Sequence, residues 1–153
     1  MNAKWLLALP TALLAAGILL VACGGDGKES GPHRHGNEVW EQTASLSAMP
    51  SFLSDYSGRT NYLYGVVGKY EDIMKTVNCY CGCLRYENDP HPSLFRCYVA
   101  EQNEESVVWT DHSGTCGICT EELLKIDEWS KQGKTADEIR DLIEENFNPN
   151  AQA

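Results

Sequence analysis

Basic side chains are scarce in this sequence. Lysine and arginine together number 12, against 22 aspartate and glutamate residues, and the formal net charge is -10. A surface this acidic repels nucleic acid and gains nothing from anionic lipid headgroups. We therefore expect no nucleic-acid partner, and solubility is the simplest explanation of the charge. Any contact with a membrane has to come from an anchor.

Familiar catalytic patterns are missing as well. The sequence shows no Ser-His-Asp order, no glycine-rich loop that could cradle a phosphate and no paired carboxylates in a recognisable context. The pairs Glu121-Glu122 and Glu144-Glu145 are typical of solvated helix faces. The sequence thus predicts no catalytic residue, and a binding role is favoured over an enzymatic one.

The N-terminus has the order of an export signal. Lys4 precedes an apolar run over residues 5–21, and the small residue Ala22 precedes Cys23. Leu20-Val21-Ala22-Cys23 resembles the lipobox of bacterial lipoproteins, whose cysteine carries fatty acyl chains such as palmitate. The resemblance implies a signal peptide over residues 1–22, lipidation at Cys23 and a location on the extracytoplasmic face of the cell membrane. A transmembrane anchor is the alternative, since the run is long enough to span, but Pro10 interrupts it.

The remaining chain divides into three predicted parts. Residues 23–38 comprise the lipidated cysteine and a glycine-rich flexible tether, because residues 24–37 lack large apolar side chains. Residues 39–148 form a cysteine-rich domain, and residues 149–153 are a frayed tail. His33 and His35 in the tether could bind a metal ion weakly, but a solvated linker is the preferred interpretation.

Helical periodicity predicts a mainly α fold. Apolar residues recur at spacings of three and four between Leu63 and Val77, after a candidate N-cap at Thr60. Gly65 and Gly68 within this stretch weaken the helix and indicate close packing of another element against it. Two further helices follow Cys116, separated by Gly133 and a capping box at residues 135–138. Residues 95–109 predict a short β-hairpin. We therefore expect a small domain of three to four helices, with a cysteine-rich loop region and one short hairpin.

Cysteine is the most informative residue type. On an extended segment Cys79, Cys81 and Cys83 would share one face, and thiolates favour soft ions such as Cu(I), zinc or those of iron-sulfur clusters. His112 is the better imidazole candidate, and His91, between two prolines, is interpreted as a loop residue. The candidate metal ligands are Cys79, Cys81, Cys83, Cys116 and Cys119, with Cys97 and His112 in addition. Six thiols at uneven spacing indicate copper, or one metal ion plus a spare pair of thiols, and copper is favoured over zinc. The predicted role is that of a membrane-tethered metal carrier or buffer whose protein partner the sequence does not identify.

Two alternatives use the same sulfurs. Cys116 and Cys119 have the C-x-x-C spacing of thiol-disulfide oxidoreductases, with Cys116 as the attacking thiolate at a helix start. In an exported domain, the six cysteines could instead form three disulfides that staple an interaction module. A c-type haem is not expected, because Thr120 stands where the attachment motif has histidine.

The ordered set of motifs resembles a known family. Residues 78–83, Asn-Cys-Tyr-Cys-Gly-Cys, are followed by Val-Val-Trp-Thr-Asp-His at 107–112 and Cys-Gly-Ile-Cys at 116–119. This order is similar to that of bacterial lipoproteins and secreted proteins with a Pro-Cys-Tyr-Cys-Gly-Cys (PCYCGC) motif, over roughly residues 49–146. Asn78 replaces the leading proline. The family's function is unassigned, so the resemblance implies the domain boundaries and the joint importance of both cysteine groups.

The C-terminal third is weakly similar to a second family. A Cys-x-x-Cys pair, a helix, Gly133-Lys134-Thr135 and a further helix with Glu138-Ile139-Arg140 resemble the small helical thiol reductases of cytochrome c maturation. The similarity spans some thirty residues, and helical hairpins are common. It supports the redox alternative without placing it first.

Overall fold

The computed structural model describes residues 31–83 and 90–151. The strands are β1 (His33–His35), β2 (Glu38–Thr43), β3 (Val99–Gln102) and β4 (Val107–Thr110). The helices are α1 (Gly58–Val66), α2 (Glu71–Thr76), α3 (His112–Thr115), α4 (Gly117–Lys131) and α5 (Ala136–Phe147). Short 3₁₀ turns cover Ser51–Asp55, Val67–Lys69 and Phe95–Cys97.

The four strands form one antiparallel sheet in the order β1-β2-β4-β3. The mainly α prediction is therefore wrong, because the fold is a mixed one with helices packed beside a sheet. The hairpin predicted over residues 95–109 is present as β3 and β4. The missed strands are β1 and β2, and Trp40 of β2 pairs with Thr110, which lies 70 positions later in the sequence. Such a partner is far away in sequence, so no local pattern reveals it.

The first strand lies inside the segment predicted as a tether. Residues 33–35 pair with β2, and the ring of His35 stacks on Trp40 with centroids 3.7 Å apart. His33 contacts the carbonyl of Gly31 through Nδ1 at 3.1 Å. The predicted signal peptide and lipidation at Cys23 lie outside the described residues. Among the residues that the structure describes, no helix is long and apolar enough to cross a membrane.

The long helix predicted after Thr60 is divided in two. Its N-cap is Ser57, whose side chain accepts from the N–H of Thr60, and a 3₁₀ turn separates α1 from α2. A Cβ at Gly68 would lie 3.2 Å from Cβ of Leu46, so the predicted close packing is confirmed there, whereas Gly65 faces open space. The break redirects the chain so that α2 leads into the cysteine run.

The C-terminal helical hairpin matches its prediction. Thr135 and Glu138 form the capping box at the start of α5, and Gly133 has φ of 85° just beyond α4. The core between these helices and the sheet contains several side chains with no exposed surface, namely Leu63, Tyr64, Met74, Leu94, Tyr98, Trp109, Leu123, Ile126 and Ile139. Cys79, Cys97 and Cys119 belong to the same core and are equally inaccessible. Half of the described cysteines are thus at the centre of the domain.

Candidate metal centre

The cysteine run and the residue before it are held against two other parts of the chain, helix α4 and the segment 91–94. The N–H of Tyr80 donates to Oε1 of Glu122 in α4 at 2.8 Å. The N–H of His91 donates to the carbonyl of Cys83 at 3.3 Å, and that of Leu94 donates to the carbonyl of Val77 at 2.9 Å. These bonds place the turn that carries Cys97, and the first turn of α4, directly beside the run.

The first group of ligand atoms is entirely sulfur. The Sγ atoms of Cys79, Cys81, Cys97 and Cys119 all lie within 4.8 Å of one another. The Cys79 and Cys119 sulfurs are 3.3 Å apart. Four thiolates arranged tetrahedrally at zinc-like bond lengths would have sulfurs ~3.8 Å apart. The group therefore needs only small side-chain shifts to enclose an ion.

The second group combines sulfur with imidazole and is more accessible. It comprises Cys81, His112, Cys116 and Cys119, again with ligand atoms within 4.8 Å. Cys116 is the N-cap of α4 and is partly exposed, as are Cys81 and His112, whereas Cys119 in the first helical turn is buried. The hydroxyl of Tyr98 donates to the carbonyl of Cys119 at 3.1 Å and fixes this turn.

The third group contains Cys83, His91 and His112. The Cys83 sulfur lies 3.3 Å from Nε2 of His112, and the two imidazole rings pack edge to face with centroids 4.4 Å apart. His91 is only 1% exposed, and its Nδ1 lies 3.4 Å from the sulfur of Cys97. His91 does lie in a loop, as its flanking prolines predict, but its side chain is buried among candidate ligands, which the sequence does not indicate.

Glu38 of β2 orients the imidazole of His112. Its Oε1 accepts from Nδ1 of His112 at 2.9 Å, while Oε2 accepts from the Thr110 hydroxyl at 2.6 Å and from the Trp40 indole at 3.0 Å. Burial opposes ionisation of Glu38, but the hydrogen bonds from His112, Thr110 and Trp40 outweigh it and lower its pKa to about 2. With Nδ1 engaged in this way, Nε2 of His112 faces the sulfurs.

A family model described as "Protein of unknown function with PCYCGC motif" matches residues 12–151. The chain belongs to this family. Neither the comparison with curated proteins nor that with solved structures gave a match. In this PCYCGC protein the motif occupies residues 78–83, with Asn78 in the place of the proline.

All the cysteines predicted as ligands in the PCYCGC protein meet in one region. The three groups together contain Cys79, Cys81, Cys83, Cys97, Cys116, Cys119 and His112, with His91 added by the structure. Clustered cysteine and histidine side chains could thus hold a metal ion, and their role as ligands stays a prediction. All six described cysteines are free thiols, so the disulfide-stapled alternative has no bridge among them.

The thiols do not ionise alike. Hydrogen bonds from the Cys116 and Cys119 thiols lower the pKa of Cys81, and a hydrogen bond from Cys119 lowers the pKa of Cys116. The hydrogen bonds of the Cys119 thiol, first that to Cys116 and then that to Cys79, raise the pKa of Cys119. The accessible sulfurs therefore carry the first negative charges, and the buried sulfur keeps its proton until an ion displaces it.

The surroundings of His112 favour its imidazolium form. Burial disfavours the imidazolium, but hydrogen bonds to Cys116, Cys81 and Glu38 more than compensate and raise the pKa of His112 to about 12. An imidazolium has no free lone pair for a metal. Metal binding at Nε2 must therefore displace a proton, and the ion's positive charge takes over the interaction with the neighbouring thiolates.

Glu122 is a buried carboxylate beside the cysteine run that the sequence does not single out. It is fully buried in α4, whereas its neighbour Glu121 is partly exposed and pairs with Arg59 at 2.8 Å. Burial raises the pKa of Glu122 to about 7, against the hydrogen bond from the Tyr80 N–H. Its Oε2 has no hydrogen-bond partner among the described residues. The prediction of a solvated Glu121-Glu122 face is wrong for Glu122, since this side chain turns towards the cysteine run.

Proposed function

We propose that this protein binds a soft transition-metal ion, copper as Cu(I) in preference to zinc, and acts as a metal carrier or buffer. The observation that supports it is the convergence of six thiols and two imidazoles, from four separate parts of the chain, in three overlapping groups. Thiolate sulfur selects soft ions over the hard ions that oxygen ligands hold. Each group matches ligand numbers that soft ions accept.

Copper is favoured over zinc by the number of sulfurs. A structural zinc ion is complete with four ligands in a closed tetrahedral site. The described part of the chain instead supplies ligands well beyond four, and Cys81 and Cys119 each occur in two groups. Redundant thiolates suit an ion that changes partners readily, as Cu(I) does in carriers, more than an ion that is locked in place.

A carrier or buffer role fits the gradient of exposure across the centre. Cys79, Cys97 and Cys119 are inaccessible, whereas Cys81 and Cys116 are partly exposed. Ile118 lies between Cys116 and Cys119 in the first turn of α4. Its side chain is 43% exposed, which is unusual for a large apolar residue in this domain. An ion could therefore enter or leave through the accessible thiolates while the buried ones retain it.

The decisive experiment is elemental analysis of protein purified from the exporting host under anaerobic conditions. We expect stoichiometric copper, and loss of at least half of it in Cys81→Ser and in Cys116→Ser alike. His33→Ala removes an imidazole outside all three groups and serves as the control with unchanged metal content. The proposal would be overturned if the purified protein contained no metal, remained folded and did not bind Cu(I) in a titration.

We also propose that the protein is a lipoprotein, with residues 1–22 as the signal peptide and Cys23 as the acylated residue. The support is the lipobox-like sequence Leu20-Val21-Ala22-Cys23. Labelled palmitate should be incorporated into the wild-type protein, which should fractionate with the membrane. Cys23→Ser should abolish both results. A membrane-bound, unlabelled protein would instead indicate an uncleaved anchor.

Thiol-disulfide exchange is the second candidate function. The partly exposed Cys116 at the start of α4, with a lowered pKa, next to the buried Cys119 is the arrangement that such enzymes use. The sulfur of Cys119, however, also lies 3.3 Å from that of Cys79. Insulin reduction by the metal-free protein that disappears in Cys116→Ser would favour this function, and its absence would leave metal binding alone.

A further inference from the structure

Two of the three groups share sulfur atoms. Cys81 and Cys119 occur both in the all-sulfur group and in the group with Cys116 and His112. Each residue offers a single ligand atom, its Sγ. If both groups are occupied, these two sulfurs have to contact both ions. A thiolate sulfur has several lone pairs and can bridge two soft ions.

We propose that the centre holds two metal ions joined by the thiolates of Cys81 and Cys119. The ion of the buried all-sulfur group, called the inner ion, would have Cys79 and Cys97 as its other ligands. The ion of the more accessible group, called the outer ion, would have Cys116 and His112. This inference rests on the proposed metal-binding function and adds its stoichiometry and its bridging ligands. Six residues then supply two four-ligand shells, because two of them are counted in both.

A single ion would use the described side chains poorly. Among the described residues, no group of mutually close ligand atoms contains more than four members, and none unites Cys79 or Cys97 with Cys116 or His112. One ion in the inner group would leave Cys116 and His112 unused, and one ion in the outer group would leave two buried thiols unused. Occupation by two ions gives every member of both groups a ligand role.

The third group limits the number of ions to two. It needs His112, which the outer group also needs. Nδ1 of His112 is committed to Glu38 at 2.9 Å, and only Nε2, which lies 3.3 Å from the Cys83 sulfur, faces the cluster. One nitrogen lone pair serves one ion at a time. The outer ion and an ion at Cys83 and His91 therefore compete for the same imidazole, and we expect no third tightly bound ion.

The test is an anaerobic titration of the full-length protein with Cu(I), followed by elemental analysis after gel filtration and by X-ray absorption spectroscopy. We expect saturation at two copper ions per chain and a copper-copper scattering path. Cys97→Ser removes a ligand unique to the inner ion and Cys116→Ser one unique to the outer ion, so each should retain one tightly held ion. Cys81→Ser should lose the copper-copper path, and His33→Ala should behave as wild type.

Each other outcome has a defined meaning. Saturation at one ion, or at two ions without a copper-copper path, would overturn the bridged centre and leave the proposed metal-binding function standing. Saturation at three or more ions would overturn the limit that His112 sets. Failure of the folded protein to take up any Cu(I) would overturn both proposals. Circular dichroism of each variant separates loss of a ligand from loss of the fold.

Discussion

Glu38 and His112 form a hydrogen bond of 2.9 Å although 74 positions separate them in the sequence. The contact exists because β2 pairs with β4, which ends immediately before α3. The Thr110 hydroxyl and the Trp40 indole hold the second carboxylate oxygen. The sheet thus does more than support the helices, since it carries the carboxylate that fixes the orientation of a candidate metal ligand.

Replacing Glu38 with glutamine should weaken metal binding. Carboxylates that hold a ligand imidazole typically contribute 10-fold to 100-fold in affinity, so we expect a loss of about 10-fold to 100-fold in Glu38→Gln. Competition with a Cu(I) chelator of known affinity measures it. Glu101→Gln, an exposed substitution in β3, is the control. Equal affinities for both variants would show that Glu38 has no part in binding.

The stability of the metal-free protein should depend on the ionisation of Glu122. Its pKa is about 7 in the folded protein, above its ordinary value of 4.5. Between these values the unfolded chain releases a proton that the folded protein retains, so stability is greatest below the lower value and falls as pH rises towards the upper one. Glu122→Gln should flatten this slope, as measured by urea unfolding between about pH 4 and about pH 8.

The neighbouring Glu121→Gln is the matched control for that experiment. Glu121 is partly exposed, and the side chains of its ion pair with Arg59 are 43% and 57% exposed, so the pair contributes little to stability. We expect its pH profile to follow that of the wild type. A Glu122→Gln profile with the wild-type slope would contradict the assignment of the pH dependence to Glu122.

Asp127 ties α1 to α4 away from the cysteines. Its carboxylate accepts from the hydroxyls of Tyr62 and Tyr70, both at 2.7 Å, and from Lys131 at 2.6 Å. Burial opposes ionisation, but these bonds lower the pKa of Asp127. Its contribution is therefore present above the unfolded pKa of about 3.8 and is lost as pH falls through the lower folded value.

Asp127→Asn should destabilise the domain at neutral pH by about 1.5–3 kcal/mol, the usual loss for hydrogen bonds to a charged group. Chemical denaturation measures it, and Cu(I) stoichiometry should be unchanged because the residue contacts none of the three groups. Asp137→Asn, whose side chain is 82% exposed, provides the control and should have a far smaller effect. A loss of bound copper in Asp127→Asn would contradict the separation of this network from the metal centre.

Local signals explain what could be predicted from the sequence. The capping box at Thr135 and the glycine at 133 act within one turn, so their pattern is sufficient. Cysteines can be predicted as candidate metal ligands at any position, because the chemistry of the thiolate does not depend on local structure. By contrast, Glu38 reaches the centre through strand pairing and Glu122 through the rotation of a helix, and both depend on partners that are remote in sequence. His91 was missed because two prolines indicate a loop without indicating where its side chain is buried.

Gly82 lies within the cysteine run and has a backbone conformation whose role can be tested by a single substitution. Its φ is 93°, a conformation that side chains rarely adopt, and it lies between Cys81 of the two sulfur-rich groups and Cys83 of the third. A Cβ there would meet no atom within 4 Å, so the cost of alanine comes from the backbone alone. We expect Gly82→Ala to destabilise the metal-free protein by about 1–2 kcal/mol and to weaken Cu(I) binding.

The control is Gly65→Ala in α1. Gly65 also faces open space but has a helical backbone, so alanine there should stabilise the protein by about 0.4–1 kcal/mol. Thermal unfolding of both variants compares the two effects, and the same sign for both would refute the backbone argument.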